Sequence, residues 1–148
     1  MPKESFVGRE YPVCNWEVEQ GKIKELVKAI GDKNPVYVDK SSAVAEGYAD
    51  IVAPPTYITV PIHWMSIYLK IIEDMSINFK NVLHGEESYT YFQEIYPGDN
   101  LTGRLKIIDV AEKKGKNGPL NIVTIETLYK NQRNEVVIKV KTIFIERK

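Results

Sequence analysis

The residues best suited to chemistry lie in a short segment, 31–37, which reads Gly-Asp-Lys-Asn-Pro-Val-Tyr and is called the motif segment below. Asp32 carries a carboxyl group that could move a proton or orient a water molecule. Tyr37 is a phenol with an ordinary pKa of ~10, so it cannot act as a base near neutral pH without a large shift. The alternative is structural, because Asp and Asn side chains accept backbone N–H bonds in turns. Asp32 is therefore either an acid or a turn residue, and Asn34 either a polar ligand contact or a turn former.

Two histidines are further candidates, since imidazole titrates closest to pH 7. His84 lies in a strand-like segment, where it could stand at the entrance of a ligand site or be a hydrogen-bonded structural residue. His63, in an apolar helical segment, is expected to be buried and satisfied. Glu86 and Glu87 are neighbours on the same strand and point to opposite faces, so solvated roles are expected for both. With only Cys14 beside the two histidines, we predict no metal site and no cofactor.

Helical spacing dominates the first half of the chain. A first helix is predicted to end at Gly31 in a left-handed conformation, which would place Asp32 in the turn just past the helix. A short second helix should be capped by Ser41 or Ser42 and stopped by Gly47. The apolar stripe of the first helix consists of Ile23, Leu26, Val27 and Ile30.

A longer helix is predicted from about Thr56 to Asp74. Pro54 and Pro55 force an extended approach to it, and Pro61 must kink its first turn or mark its true start. Apolar residues cover most of its circumference, so it should be buried on most sides. Its main stripe is Ile58, Ile62, Met65, Leu69 and Ile72.

Strand patterns fill the second half of the chain. Val, Ile, Thr and Tyr are frequent there, and apolar residues alternate with charged ones as in a sheet with one wet face. Hairpin turns, including one at 96–100, should connect the strands as a meander. Helices followed by strands predict an α+β fold with helix packed on an antiparallel sheet. The predicted strands are 11–18, 82–94, 101–112, 120–130 and 135–147.

Composition narrows the class of protein. The 148 residues suit one domain, 1–148. Twenty basic and twenty acidic residues cancel, so no global field attracts nucleic acid or an anionic membrane. No signal peptide is visible, and prolines interrupt the longest apolar stretch, 52–72, too often for a membrane span. A single cysteine fits a reducing compartment, and we therefore expect a cytoplasmic protein without nucleic-acid or membrane partners.

Four pieces of the chain, in this order and spacing, resemble the MaoC-like dehydratase family, in particular its N-terminal, FAS1-type branch. The resemblance covers nearly the whole chain. It implies a hotdog fold, in which a long central helix is wrapped by an antiparallel sheet. It also implies substrates that are acyl thioesters of coenzyme A (CoA) or acyl carrier protein (ACP), bound at the interface of paired hotdogs. The four pieces are Val7-Gly8-Arg9, 29–35, 53–57, and Leu83-His84-Gly85-Glu86 with Pro97-Gly98-Asp99.

The resemblance also implies that catalytic parts are missing. In the family the motif reads Gly-Asp-x-Asn-Pro-x-His, and its aspartate and histidine handle the water and the proton. Tyr37 stands at the histidine position. The family's His-Gly start of the central helix aligns with Pro54-Pro55, and proline has no N–H to hold the thioester oxygen. The next amides belong to Thr56 and Tyr57, so Pro55, Thr56 and Tyr57 are expected at the substrate site.

Three functions are compatible with these residues. The branch with the nearest pattern includes non-catalytic subunits of (3R)-hydroxyacyl-ACP dehydratases, so the chain could bind the thioester while a partner hotdog supplies Asp and His. It could also be a self-sufficient homo-oligomeric hydratase that uses Asp32 with Tyr37 or His84. Thirdly, it could be a homodimeric module that holds acyl-CoA or another apolar ligand without turnover. Each case predicts a homodimer or a heterodimer, because pairing covers an open strand edge.

Overall fold

The structure, a computed structural model, describes the backbone of residues 3–64 and 67–148, and the side chains of these residues except 12–14, 63, 64 and 67. Its strands are β1 (Glu10–Glu17), β2 (Val82–Tyr91), β3 (Asn100–Gly115), β4 (Gly118–Lys130) and β5 (Val136–Arg147). They form a five-stranded antiparallel sheet in the order β1-β3-β4-β5-β2, so β1 and β2 are the edge strands. Helices cover one face of this sheet, which confirms the predicted α+β class.

The predicted meander is correct for β3, β4 and β5 but wrong for β2. Strand β2 pairs with β5, at the opposite side of the sheet from β1 and β3. The predicted turn at 96–100 exists, with Gly98 at a φ of 86° and the Asp99 amide donating to the Tyr96 carbonyl at 3.2 Å. Instead of closing a hairpin, the turn docks on the end of β1, since the Gly98 amide donates to the Val18 carbonyl at 2.8 Å. The 92–99 connection therefore carries the chain across the sheet.

The first helix, α1 (Gln20–Ile30), ends as predicted. Gly31 has a φ of 70°, and the Asp32 amide donates to the Val27 carbonyl at 3.1 Å, which satisfies the last turn. Ile23 and Val27 are buried, but Ile30 is 52% exposed. The buried face of α1 thus stops one turn before the helix ends, and the prediction for Ile30 was wrong.

The short helix α2 (Lys40–Ala45) is capped by Asp39, not by Ser41 or Ser42 as predicted. The Asp39 carboxylate accepts the Ser42 amide at 2.8 Å and both serine hydroxyls at 2.6 Å. The two serines are therefore donors to the cap. These bonds, the serine hydroxyls first, lower the pKa of Asp39 from 3.8 to about 2.

We expect the Asp39 cap to stabilise the protein only while it is charged. Its lowered pKa means that this stability is fully present above pH 3.8 and is lost as the pH falls through about 2. Asp39→Asn keeps a cap oxygen without the charge, so its thermal midpoint should lie below wild type near neutral pH and converge with it near pH 2. Melting followed by circular dichroism measures this. A difference that stays constant over that pH range would contradict the prediction.

Two helical pieces, α3 (Thr59–Trp64) and α4 (Ile67–Asp74), occupy the stretch predicted as one helix from about Thr56. Residues 55–58 form turns instead, because the paired prolines hold the chain away from helical geometry, so α3 begins three residues later than predicted. Pro61 falls in the first turn of α3, where it is tolerated. The prediction for Met65 lies outside the described residues.

The core lies between these helices and the inner face of the sheet. Leu69 on α4 is 49% exposed, so the expectation that this helix is buried nearly all round is wrong on that side. Within the described ranges, no helix is long and apolar enough to cross a membrane. The core residues include Ile58, Ile62, Ile71, Ile72, Leu101, Leu105, Ile107, Ile125, Ile138 and Val140.

Candidate functional site

The motif segment forms two nested turns. Oδ1 of Asp32 accepts the Asn34 amide at 2.8 Å, and Oδ1 of Asn34 accepts the Val36 amide at 3.2 Å. The second bond caps a 3-10 turn over Pro35–Tyr37. Both side chains are exposed, so they hold the turn and also remain accessible to a ligand. A role for either one in catalysis stays a prediction.

Tyr37 is half-buried and packs against both hydrophobic clusters of the chain. Burial raises the pKa of its phenol, and the charge of Asp32 raises it further. A base near neutral pH needs a lowered pKa, so this environment makes Tyr37 a poorer base. The phenol keeps its proton and can act as a hydrogen-bond donor. It borders a depression of about 560 Å³, called the motif hollow, lined by Asn34, Pro35, Val36, Tyr37, Ser42, Ala45, Glu46 and Tyr48.

The three predicted substrate residues, Pro55, Thr56 and Tyr57, differ in their exposure to solvent. Pro55 and Thr56 are exposed. Tyr57 is fully buried, and its phenol oxygen accepts the Trp16 indole N–H at 3.2 Å. The Tyr57 amide donates to the Pro54 carbonyl at 2.8 Å, so it is already engaged and only the Thr56 amide could replace the donor that proline lacks.

A second depression, of about 580 Å³, lies where α3 and α4 meet the β2 edge of the sheet. Its walls are mainly aliphatic and aromatic, which suits an apolar ligand. We call it the helix–strand cleft. It is lined by Thr59, Ile62, Tyr68, Leu69, Ile72, Phe79, Val82, His84, Glu87 and Phe144.

A β-bulge at Gly85 brings His84 and Glu87 to this cleft. His84 lies opposite Phe144 and Glu86 opposite Ile143, so Gly85 is an extra residue in β2. Side chains three positions apart on a regular strand point to opposite faces, but one inserted residue returns them to the same face. Sequence analysis missed this bulge, although a glycine inside a strand pattern can signal one.

Glu87 is the centre of a hydrogen-bond network in the cleft wall. Its Oε2 accepts the Tyr89 hydroxyl at 2.7 Å, and its Oε1 accepts the Thr142 hydroxyl at 3.2 Å. Nε2 of His84 lies 3.8 Å from Oε2 of Glu87. The Glu87 side chain is only 18% exposed, so the expected solvated role was wrong for this residue, while Glu86 is exposed as predicted.

The two aromatic phenols beside Glu87 are held protonated. The Tyr68 hydroxyl lies 3.1 Å from the Thr142 hydroxyl, and burial raises the pKa of Tyr68 to about 12. Burial, followed by the hydrogen bond to Glu87, raises the pKa of Tyr89 as well. Both phenols therefore stay neutral donors, which fixes the orientation of the Glu87 carboxylate.

Strand β2 contributes residues to the helix–strand cleft, and the cleft and the motif hollow share no lining residue. The rings of Tyr89 and Tyr91 stack with centroids 6.3 Å apart. Burial raises the pKa of Tyr91 to about 12, and the charges of Glu94 and Glu87 and the phenol of Tyr37 add to the shift. Tyr91 therefore stays a neutral phenol.

The remaining metal-ligand candidates, Cys14 and His63, lie outside the described side chains. Among the side chains that are described, no group of three or more His, Cys, Asp or Glu residues is arranged to hold a metal ion.

The fold and the retained motif turn define a hotdog protein of the hydratase and dehydratase kind. The sequence model of one family, described as FAS1-like, dehydratase domain region, matches residues 5–140. The chain belongs to this family.

Relatives and solved structures agree with this membership. A UPF0336 protein of Streptomyces avermitilis is 32% identical over 151 aligned positions, which cover 97% of this chain and 94% of the relative. HadBC, the 3R-hydroxyacyl-ACP dehydratase complex of Mycobacterium tuberculosis in a C-terminally truncated form, superposes with a TM-score of 0.81 at 20% identity over 95% of this chain and 96% of that one. A MaoC-like dehydratase gives a TM-score of 0.86 at 23% identity, over 99% of this chain and 43% of its own. The structural likeness confirms the hotdog fold.

Proposed function

We propose that this chain is the acyl-thioester-binding subunit of an (R)-specific enoyl hydratase or 3-hydroxyacyl dehydratase of the cytoplasm, and that a partner hotdog supplies the catalytic Asp and His. The observation that carries the proposal is Tyr37. The motif turn around it is intact, yet the side chain at the histidine position is a phenol whose pKa is raised rather than lowered. Such a site keeps the motif turn and lacks the imidazole that would act as the base.

The ligand, a thioester of CoA or ACP, occupies both depressions in this proposal. Its reacting end lies at the motif hollow, beside Asp32 and Tyr37, and its acyl chain extends along β2 into the helix–strand cleft. The apolar walls of the cleft support this placement, because burial of CH₂ groups there is favourable at about 0.8 kcal/mol each. The stacked rings of Tyr89 and Tyr91 on β2 would offer aromatic contacts to a chain on this route.

The acyl-binding part of this proposal is tested by calorimetric titration with a medium-length acyl-CoA. Leu69→Lys places a charge in the cleft wall and should weaken binding at least about tenfold, because a bound acyl chain would remove water from the ammonium group and return no hydrogen bond. Val44→Lys, at an equally exposed apolar position on α2, is the matched control and should bind as wild type. A wild-type chain without affinity for any acyl thioester would refute the proposed function.

The partner hotdog is expected on the free edge of β2. Large apolar side chains remain exposed around this edge. Proteins usually protect an open edge strand from pairing with charged side chains. The two-component HadBC dehydratase, a structural neighbour, supports a second hotdog as the occupant. The exposed side chains are Leu69, Phe79, Leu83, Tyr91 and Phe92.

Charges on the β2 edge should therefore prevent assembly. In the double variant Leu83→Asp and Phe92→Asp, the carboxylates would lose water on pairing, so the dissociation constant of the homo- or heterodimer should rise more than about tenfold. Analytical ultracentrifugation of the chain alone and with its partner measures this. Val44→Asp should leave the assembly intact. Equal assembly of the double variant and wild type would show that the interface lies elsewhere.

A further inference from the structure

The bulge at Gly85 builds a polar pair into an otherwise apolar wall. His84 and Glu87 both line the helix–strand cleft, and no residue of the motif segment contributes to it. The His84 ring is also held against Phe144, with centroids 5.8 Å apart at 78°. A strand without the extra residue would turn one member of the pair to the other face of the sheet, so the pair exists because of the bulge.

The distance between the His84 and Glu87 side chains allows an oxygen atom of a ligand to bind beside both. The 3.8 Å between Nε2 of His84 and Oε2 of Glu87 is longer than a direct hydrogen bond. A hydroxyl group beside the pair can contact both atoms, because it donates one hydrogen bond and accepts others. The Glu87 carboxylate can accept this further hydrogen bond. It already accepts the hydroxyls of Tyr89 and Thr142, and an ionised carboxylate can accept about four hydrogen bonds.

A purely apolar chain is a poor match for this part of the cleft. It would displace water from a carboxylate and an imidazole and return no hydrogen bond. Glu87 cannot easily turn away, because Tyr89 and Thr142 hold its two oxygens and Tyr68 in turn holds Thr142.

We propose that His84 and Glu87 form a hydroxyl-binding subsite. The cleft then selects acyl chains that carry a hydroxyl group farther along the chain than the reacting carbons. This inference rests on the proposed function, since it assumes that an acyl thioester occupies the cleft. It adds the chemical class of the acyl chain, which neither the family nor the motif segment specifies.

Calorimetric titration with two matched sets of ligands tests the subsite: saturated acyl-CoA thioesters of increasing length, and the same chains with a terminal hydroxyl. Wild type should bind at least one hydroxylated chain about tenfold more tightly than its unsubstituted counterpart. His84→Phe keeps the ring packing on Phe144, and Glu87→Met keeps the length of the side chain. Each should abolish the preference and strengthen binding of the unsubstituted chains.

Glu86→Gln is the matched control, because this neighbouring carboxylate is exposed on the opposite face of β2, and it should keep the wild-type preference. Two results overturn the inference: a wild-type protein that binds every unsubstituted chain at least as tightly as the hydroxylated one, or a preference that persists in both His84→Phe and Glu87→Met. Binding without preference leaves the proposed function standing. Absence of binding for every thioester removes the proposed function and the inference together.

Discussion

Hydration of crotonyl-CoA by the purified chain is expected to be at least about 100-fold slower than by the same chain mixed with a partner hotdog whose motif reads Gly-Asp-x-Asn-Pro-x-His. Two deficits add up in the isolated chain. The phenol of Tyr37 keeps its proton, and general acid–base catalysis is typically worth about 10²–10⁴ in rate. Pro55 offers no N–H to the thioester oxygen, and one such donor is typically worth about 10²–10³.

Two variants separate these deficits. Tyr37→His restores an imidazole but not the amide, so the isolated chain should gain only a small part of the missing rate. A partner with its motif histidine replaced by alanine should fail to rescue the mixture, because no imidazole then remains at the motif position of either chain of the proposed pair. Full activity of the unmixed wild-type chain would contradict the proposal, and Asp32→Asn and His84→Ala would then show whether those residues act instead. A MaoC-like chain with the intact motif, if one is encoded beside this chain, would be a suitable partner.

Gly85→Ala adds one methyl group to β2. Among substitutions on this strand that add or remove a single methyl group, it is expected to cause the largest loss of stability. An added Cβ would lie 2.9 Å from Cδ1 of Ile145 and 3.2 Å from the carbonyl oxygen of Ile143. The Ile145 side chain can rotate, but the Ile143 carbonyl belongs to the backbone of the neighbouring strand. We expect the free energy of unfolding to fall by about 1–3 kcal/mol, as for other overpacked sites, measured by urea denaturation.

Gly21→Ala provides the matched comparison for Gly85→Ala. Gly21 lies in α1, and nothing lies within 4 Å of the position its Cβ would take. Alanine is the better helix former, so this variant should gain up to about 1 kcal/mol. Should Gly85→Ala prove as stable as wild type, the strand register at the bulge would have to differ from that described here.

The local parts of the fold were predictable because they depend on nearby residues. The helix that ends at Gly31 follows from apolar spacing and a glycine, and Asp32 and Asn34 form the turns that their side chains favour. The Asp39 cap was missed because Ser41 and Ser42 compete for the same role within three residues. At such a boundary only the geometry decides which oxygen caps the helix.

The missed features are long-range. Pairing of β2 with β5 depends on which edge of the sheet is free, and no local pattern encodes that. Glu87 reads as a surface residue in a charged stretch, and its burial arises from Tyr89, Thr142 and the bulge acting together. The motif turn was predictable and the helix–strand cleft was not, since residues from five separate elements, α3, α4, a 3-10 turn at Phe79–Asn81, β2 and β5, line the cleft.

The spacing of residues along β2 sets a length requirement in the proposed pose. Tyr91 stands four positions after Glu87, which corresponds to about 13 Å along a strand. In that pose a four-carbon thioester whose reacting end lies beyond Tyr91 would end before the His84–Glu87 pair, so its turnover should not depend on substitutions of His84. Only longer chains would reach the pair, so that chain length and distal polarity would be selected together.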